Sequence, residues 1–169
     1  KLGSDAIAIK CDVSKEEQVK QMIEKTIKKF GRIDILVNNA GIVFDIPFAE
    51  KTVEQWKRIL EVNLIGVFLC SKYVAPHMKK QKSGKIVNVS STNAIDSFNP
   101  ESMDYDASKA GVAIITKSLA KELAPEIYVN AVAPGWVDTE MNKDLPKDYV
   151  QGEVEKIYMK RFARPEEIA

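Results

Sequence analysis

Short apolar runs alternate with amphipathic stretches along this chain, and that alternation constrains the fold more than any other feature. The apolar runs at residues 6–9, 33–37, 85–90 and 127–133 are typical of strands, and apolar residues recur at helical spacing between them. A strand–helix repeat predicts an α/β protein with a doubly wound, Rossmann-like parallel sheet. We expect helices on both faces of that sheet, and we expect residues 33–37 to be buried on both faces.

Local signals place the ends of the predicted helices. Ser14 with Glu17 has the spacing of a capping box, and Gly31 is expected to end the helix that begins there. Thr52 with Gln55 is a second capping box.

The later part of the chain contains further helix signals. The helix that follows the second capping box is expected to bend near Gly66 or to end at Pro76. A polar loop at 92–104 precedes an amphipathic helix at 105–123, and residues 138–169 are expected to be helical and polar.

Composition excludes several classes of function. Lys and Arg number 25 against 24 for Asp and Glu, a net charge of +1, which argues against a nucleic-acid surface. The sequence has one histidine, His77, so a multi-histidine metal site is not expected. The apolar run 64–70 is too short for the roughly 20 residues that span a bilayer, so no membrane partner is expected. Cys11 and Cys70 form no CxxC motif and are expected to be free thiols in a reducing, cytoplasmic compartment.

The irregular motifs all follow predicted strands, at residues 12–13, 38–41, 90–91 and 134–135. Open parallel sheets bind their ligands beyond the carboxyl ends of the strands. The pattern therefore places a ligand site at that edge of the sheet.

Tyr105 and Lys109 are the most chemically suggestive pair, because four residues on a helix bring two side chains onto one face. A nearby ammonium favours the phenolate form of a tyrosine, so such a pair can exchange a proton without a histidine. Ser91 follows a strand and offers a hydroxyl to a substrate oxygen. Asn63 lies mid-helix among apolar residues, where the simpler interpretation is a buried amide bonded to the backbone.

Five motifs occur in a fixed order along the chain: Asn38-Asn39-Ala40-Gly41, Val62-Asn63-Leu64, Ser90-Ser91, Tyr105-Asp106-Ala107-Ser108-Lys109-Ala110-Gly111 and Asn130-Ala131-Val132-Ala133-Pro134-Gly135. Together they resemble the short-chain dehydrogenase/reductase family, over nearly the whole chain. Within that family the chain resembles the bacterial 3-oxoacyl-[acyl-carrier-protein] reductases and related sugar and alcohol dehydrogenases. The resemblance implies an NAD(P)-dependent oxidoreductase that transfers hydride between nicotinamide and a carbonyl or alcohol substrate, including one bound to acyl carrier protein.

The resemblance also implies roles for individual residues. Tyr105 would exchange a proton with the substrate oxygen that Ser91 holds. Lys109 would lower the pKa of Tyr105 and bind the nicotinamide ribose, and Asn63 would hold a water that links Lys109 to solvent. The residues implied to contact the cofactor, NADP or NAD, are Asp12, Val13, Asn39, Ala40, Gly41, Tyr105, Lys109, Pro134, Gly135, Val137 and Thr139. Residues 139–161 would form a substrate lid.

Three departures from the family pattern qualify these expectations. The glycine-rich phosphate loop of the family is expected before Lys1, and its last strand after Ala169. We therefore expect residues 1–169 to be a single domain that is incomplete at both ends, without the strand end that distinguishes NAD from NADP. The stretch from Ser91 to Tyr105 is acidic and one residue longer than usual, which leaves Ser90 as the alternative to Ser91.

Other interpretations of the sequence remain. A non-catalytic family member, either a fragment or a pseudo-enzyme, would act as a binding or oligomerisation module. A flavodoxin-like regulatory domain accounts for the sheet but does not explain Tyr105 and Lys109. The two long predicted helices, at 52–75 and 105–123, are expected to mediate a homodimer or homotetramer, as in the family.

Overall fold

The computed structural model describes residues 5–96 and 99–169. The chain divides into two compact units, Lys1–Val132 and Ala133–Ala169. The strands are β1 (Ile35–Asn38), β2 (Gly84–Val89) and β3 (Ile127–Val132). The α-helices are α1 (Glu16–Phe30), α2 (Val53–Leu60), α3 (Gly66–Gln81), α4 (Met103–Leu123) and α5 (Lys147–Lys156).

The three strands form one parallel sheet in the order β1-β2-β3. Ile35 lies opposite Lys85, and Val89 lies opposite Val132. Parallel neighbours end at the same edge of a sheet. The segments after β1 and β2 therefore leave the sheet at the same edge. They carry Asn39–Gly41 and Ser90–Ser91.

The predicted first strand is not present. Residues 6–9 pair with no strand that the structure describes and are largely exposed, and an apolar run becomes a strand only where a neighbour supplies its hydrogen bonds. The predicted Ser14 cap is also wrong, because α1 begins at Glu16 after an N-cap at Lys15. Ser14 instead donates from its backbone N–H and its hydroxyl to Asp12 Oδ1. Gly31 ends α1 as predicted, at φ 79°.

The second capping box is confirmed, with Thr52 and Gln55 each accepting the other's backbone N–H. The helix that follows does not end at Pro76. A π-helical segment, Glu61–Ile65, joins α2 to α3, and α3 continues through Pro76 to Gln81. π-helical turns are rare and occur frequently at functional sites. Asn63 lies inside this one.

The core of the first unit lies where α1, α3 and α4 meet one face of the sheet. The buried residues that form this cluster are Ile23, Val74, Ala75, Met78, Ile86, Leu123, Ile127 and Val129. On the other face Ile35 and Val37 are 58% and 56% exposed. The expected burial of residues 33–37 on both faces is therefore wrong, because the described helices that pack on this sheet join a single cluster on one face.

One of the described helical segments, Val53–Gln81, is long and apolar enough to cross a membrane, with a mean hydropathy of 1.4 over its most apolar window. Half of that window is buried inside the chain. A half-buried apolar segment of this kind is typical of a core helix.

The second unit has one α-helix and two short 3₁₀ turns, so the expectation of a mainly helical 138–169 is wrong. Its centre is aromatic: Trp136 stacks on Phe162 with ring centroids 5.2 Å apart and meets Tyr149 edge-on at 6.1 Å. Val137 forms an isolated parallel bridge with Ala163. Pro146 and Pro165 each lie at the start of a helical turn, where a missing backbone N–H costs nothing.

Candidate active site

Tyr105 and Ser91 meet beyond the carboxyl end of β2. Tyr105 lies in the first turn of α4, and Ser91 follows β2 and is 7% exposed. Burial raises the pKa of Tyr105 from its ordinary value, and this outweighs the opposite effect of the nearby Ser91 hydroxyl, which lowers that pKa. The nearby Asp106 carboxylate also raises it. A neutral phenol beside a serine hydroxyl can donate a proton to an oxygen held by both.

Ser90 is separate from this pair. Its hydroxyl is buried and donates to the backbone carbonyl of Lys109 at 2.8 Å. Ser91 Oγ instead accepts from the Asn93 backbone N–H at 3.2 Å. Of the two serines, Ser91 is therefore the one near the Tyr105 hydroxyl; residues 97 and 98 of the longer loop lie outside the described residues.

Lys109 is a buried cation, 4% exposed, one turn after Tyr105. Its ammonium donates to the Val89 carbonyl at 2.8 Å and lies 5.5 Å from the centroid of the Tyr105 ring. Burial lowers the pKa of Lys109 to about 8. The resemblance implied that Lys109 lowers the pKa of Tyr105, but here that pKa is raised, because desolvation of the phenol is the largest effect on it.

Asn63 is buried and its amide is fully used. Its Oδ1 accepts from the Ile42 backbone N–H at 2.9 Å, and its Nδ2 donates to the Ile42 carbonyl at 2.9 Å and to Ser108 Oγ at 3.1 Å. The simpler interpretation, a buried amide bonded to the backbone, is confirmed. The contacts hold the loop after β1 against α4.

Gly41 lies in that loop, at the point where Asn63 and Lys109 approach each other. A methyl group on Gly41 would lie 3.5 Å from Asn63 Oδ1 and 3.5 Å from Lys109 Nζ. The absent side chain leaves open space beside a buried ammonium. The preceding residues of the loop, Asn39 and Ala40, are exposed.

Asp12 and Val13, two of the residues implied to contact the cofactor, differ in their environment. Val13 lines a small depression with Asn38, Ala40, Val62 and Gly66, so it does adjoin the loop after β1. The Asp12 carboxylate is instead bonded to Ser14 and to Arg58, at 3.2 Å from the guanidinium, and these contacts lower its pKa. The Asp12 side chain is therefore held by this chain's own residues.

A chain of buried polar groups beneath the site was not found from the sequence. Asn38 Nδ2 donates to Asn88 Oδ1 at 2.8 Å, and Asn88 Nδ2 donates to Thr116 Oγ1 at 2.9 Å. These bonds join β1, β2 and α4. The available signal was Asn88 within the apolar strand 85–90, since a buried amide in a strand needs partners.

Pro134, Gly135, Val137 and Thr139 belong to the second unit. Pro134 and Val137 are partly buried, whereas Gly135 and Thr139 are exposed. The Val137 carbonyl accepts from Asn142 Nδ2 at 2.7 Å, which fixes the backbone next to Thr139.

The residues of the first unit fit the nicotinamide end of a dinucleotide cofactor. An ammonium has three donor protons, and Lys109 uses one of them on Val89. Among the described residues Lys109 Nζ has no second hydrogen-bond acceptor, so its other protons can bind ribose hydroxyls, and Gly41 places no side chain beside them. Within residues 5–96 and 99–169, no group of three or more metal-binding side chains is placed to hold an ion.

Comparison with known proteins agrees with this geometry. Residues 1–150 match the sequence profile of the short chain dehydrogenases. The chain belongs to that family. It is 44% identical over 168 residues to a 3-oxoacyl-[acyl-carrier-protein] reductase of Synechocystis sp., covering 99% of this chain and 66% of the relative. It is 46% identical over 159 residues to the corresponding reductase of Thermotoga maritima, covering 94% and 64% of the two chains.

Solved structures of the same family are also similar. A gluconate 5-dehydrogenase from Burkholderia cenocepacia, crystallised with NADP and tartrate, matches with a TM-score of 0.88 and 32% identity, over 93% of this chain and 62% of that one. This likeness confirms the predicted α/β class with a parallel, Rossmann-like sheet. The chain spans about two thirds of the length of the curated relatives that it matches.

Proposed function

We propose that this protein is an NAD(P)-dependent oxidoreductase that transfers hydride between nicotinamide and a carbonyl or alcohol substrate. One observation carries the proposal: the buried Lys109 ammonium lies 5.5 Å from the centroid of the Tyr105 ring, and the Ser91 hydroxyl is close enough to lower the pKa of that same Tyr105. Family membership supports the same chemistry.

Each residue then has a task that its environment suits. A nicotinamide cofactor, when bound, supplies or accepts the hydride. Ser91 Oγ holds the substrate oxygen, and the Tyr105 hydroxyl, kept neutral by burial, donates a proton to that oxygen in the direction of reduction. The Lys109 ammonium binds ribose hydroxyls with its free donors and supplies positive charge beside the phenol.

The substrate we favour is a 3-oxoacyl group bound to acyl carrier protein. Relatives with that printed activity are 44% and 46% identical to this chain. The gluconate dehydrogenase is less similar, at 32% identity, and provides the competing substrate class. We further propose NADP or NAD as the cofactor.

We also propose a cytoplasmic homo-oligomer, either a dimer or a tetramer. Apolar side chains on the long helical elements support association, since Ile65 and Phe68 are each 44% exposed and Ile114 is 61% exposed. Exposed apolar side chains on neighbouring helices are typical of protein interfaces.

The test is a reductase assay on the full-length protein, following nicotinamide absorbance with an acetoacetyl thioester and, in the oxidative direction, with gluconate. Tyr105→Phe keeps the ring and removes the proton, so turnover should fall by about 10²–10⁴ while cofactor binding persists. Tyr128→Phe is the matched control, because Tyr128 is 66% exposed on β3 and should change neither quantity. A Tyr105→Phe enzyme as active as Tyr128→Phe would overturn the proposal, and an active wild type that accepts gluconate alone would overturn the 3-oxoacyl substrate.

A further inference from the structure

Directly before Tyr105, the chain buries an ion pair that the chemistry above does not use. Lys51 Nζ lies 2.7 Å from Asp104 Oδ1, and the two side chains are 3% and 0% exposed. The other described ion pairs have at least one side chain that is 32% or more exposed. Among the described residues, Lys51–Asp104 is thus the ion pair in which both side chains are fully buried.

The Lys51–Asp104 pair connects the start of α4 to the loop after β1. Asp104 Oδ1 also accepts from the Tyr105 backbone N–H at 3.0 Å, so one carboxylate oxygen contacts both Lys51 and the residue that bears the phenol. Lys51 Nζ makes a second bond, to the Phe44 carbonyl at 2.9 Å. A backbone bond from Ile46 N–H to the Glu101 carbonyl runs beside it at 3.0 Å.

Stability alone gives little reason to keep such a pair. The free energy needed to remove two charges from water is about as large as the free energy gained from their attraction. Replacing a buried ion pair by apolar residues of similar volume therefore often leaves stability unchanged or increases it. Asp104 Oδ2 is buried without a hydrogen-bond partner among the described residues, which adds to that cost. What the pair does provide is a fixed geometry, because Oδ1 has two donors and Nζ two acceptors.

We infer that Lys51 and Asp104 are positioning residues for Tyr105. Asp104 Oδ1, anchored by Lys51, holds the first turn of α4 so that the phenol stays against Ser91. This inference rests on the proposed function, since it assigns Tyr105 as the proton donor. Proton transfer depends on placement within about an ångström, so loosening that turn should lower kcat more than it affects KM.

The test uses three variants of the full-length protein in the acetoacetyl thioester assay. Lys51→Met/Asp104→Leu removes both charges together, so no buried charge is left unpaired and the fold should be kept. We expect its kcat to fall by about 10–100-fold, while KM, the cofactor Kd and Tm stay near wild type. Lys51→Met/Asp104→Asn also leaves no buried charge but keeps an acceptor at Oδ1 for the Tyr105 backbone N–H, so its kcat should recover to within about threefold of wild type. Lys72→Met/Glu16→Leu is the matched control, because that 2.7 Å pair is about half exposed, and it should behave as wild type.

The outcomes separate the inference from the proposed function. A Lys51→Met/Asp104→Leu enzyme that keeps wild-type kcat would overturn the positioning role, and so would a Lys51→Met/Asp104→Asn enzyme that is equally slow. A loss of kcat that only follows the fraction of unfolded protein, measured by circular dichroism in the same samples, would show a structural role and would also overturn it. A wild type without activity on any substrate, by contrast, would overturn the proposed function itself.

Discussion

The Asn63 carboxamide and the Lys109 ammonium approach each other across a glycine: a methyl group on Gly41 would touch Asn63 Oδ1 and Lys109 Nζ, each at 3.5 Å. Neither contact is strained, and Gly41 does not have a positive φ. The space beside a buried ammonium is therefore open to a ligand because residue 41 has no side chain, and no backbone requirement demands the glycine.

Gly41→Ala tests that interpretation. The substitution should change the free energy of unfolding by no more than about 1 kcal/mol, and it can even stabilise by restricting the unfolded chain. It should weaken nicotinamide cofactor binding by about tenfold or more, since a single displaced contact or steric overlap in a pocket is worth about 1–3 kcal/mol. Titrating nicotinamide fluorescence and measuring urea unfolding on the same sample checks both. Unchanged affinity would show that the cofactor does not approach this face of Gly41.

Ser91 and Ser90 should respond differently to alanine. Ser91→Ala removes the hydroxyl next to Tyr105, so kcat should fall by about 10²-fold or more if that hydroxyl acts as an oxyanion donor. Ser90→Ala breaks the 2.8 Å bond to the Lys109 carbonyl. It should cost about 1 kcal/mol of stability and leave kcat within a few-fold. The reverse assignment of the two effects would move the substrate site to Ser90.

Local patterns predicted the elements whose signals lie within one segment. Helix α4, the Thr52–Gln55 capping box and the Gly31 cap were all predicted from spacing and residue type. The prediction of a strand at residues 6–9 was wrong, because a strand forms only where a neighbouring strand pairs with it. A local sequence pattern does not show whether such a neighbour is present. The π-helical segment at Asn63 was not predicted for a similar reason. Asn63 bonds there to Ile42 and Ser108, which are distant in sequence.

The site shows a similar division. Tyr105, Lys109 and Ser91 were predicted, by helical spacing and by position at a strand end, and the structure brings them together. The Lys51–Asp104 pair was not, because 53 residues separate its members and Asp104 had the sequence context of a polar loop. The direction of the Tyr105 pKa shift depends on burial. The spacing of Tyr105 and Lys109 in the sequence carries no information about burial.

The buried ammonium of Lys109 should make stability depend on pH in a specific window. Its pKa is about 8 in the folded protein and 10.5 in the unfolded chain. Between those values the folded state has released a proton that the unfolded state still binds, so stability rises with pH; below 8 the cost of burial is present in full. That cost is on the order of 3 kcal/mol.

Lys109→Met isolates this contribution, because the variant lacks the titrating group. Relative to Lys109→Met, the wild type should gain stability as pH rises from about 7.5 to 10 and should not change from 6 to 7.5. Burial also raises the pKa of Tyr105, but that phenol is present in both proteins, so its contribution cancels in the difference between them. Urea unfolding at each pH measures the difference. A constant difference across the whole range would mean that the ammonium is well solvated, and its proposed electrostatic role would be wrong.

Gly66 is required by packing, and the cost of replacing it should depend on the side chain of Val13. A Cβ on Gly66 would lie 2.8 Å from Val13 Cγ2 and 3.4 Å from the Val13 carbonyl oxygen. Because a β-branched side chain has little rotamer freedom, Gly66→Ala should destabilise by about 1–3 kcal/mol despite alanine's better helix propensity. In a Val13→Ala background the 2.8 Å overlap is gone, while the Cβ and carbonyl oxygen of residue 13 stay 3.2 and 3.4 Å from the new methyl group, so the same change should destabilise by about 1 kcal/mol less. Gly152→Ala, with nothing within 4 Å of the new methyl group, is the control and should stabilise in both backgrounds. Equal effects of Gly66→Ala with Val13 present and absent, measured by urea unfolding, would show that Val13 does not pack against Gly66.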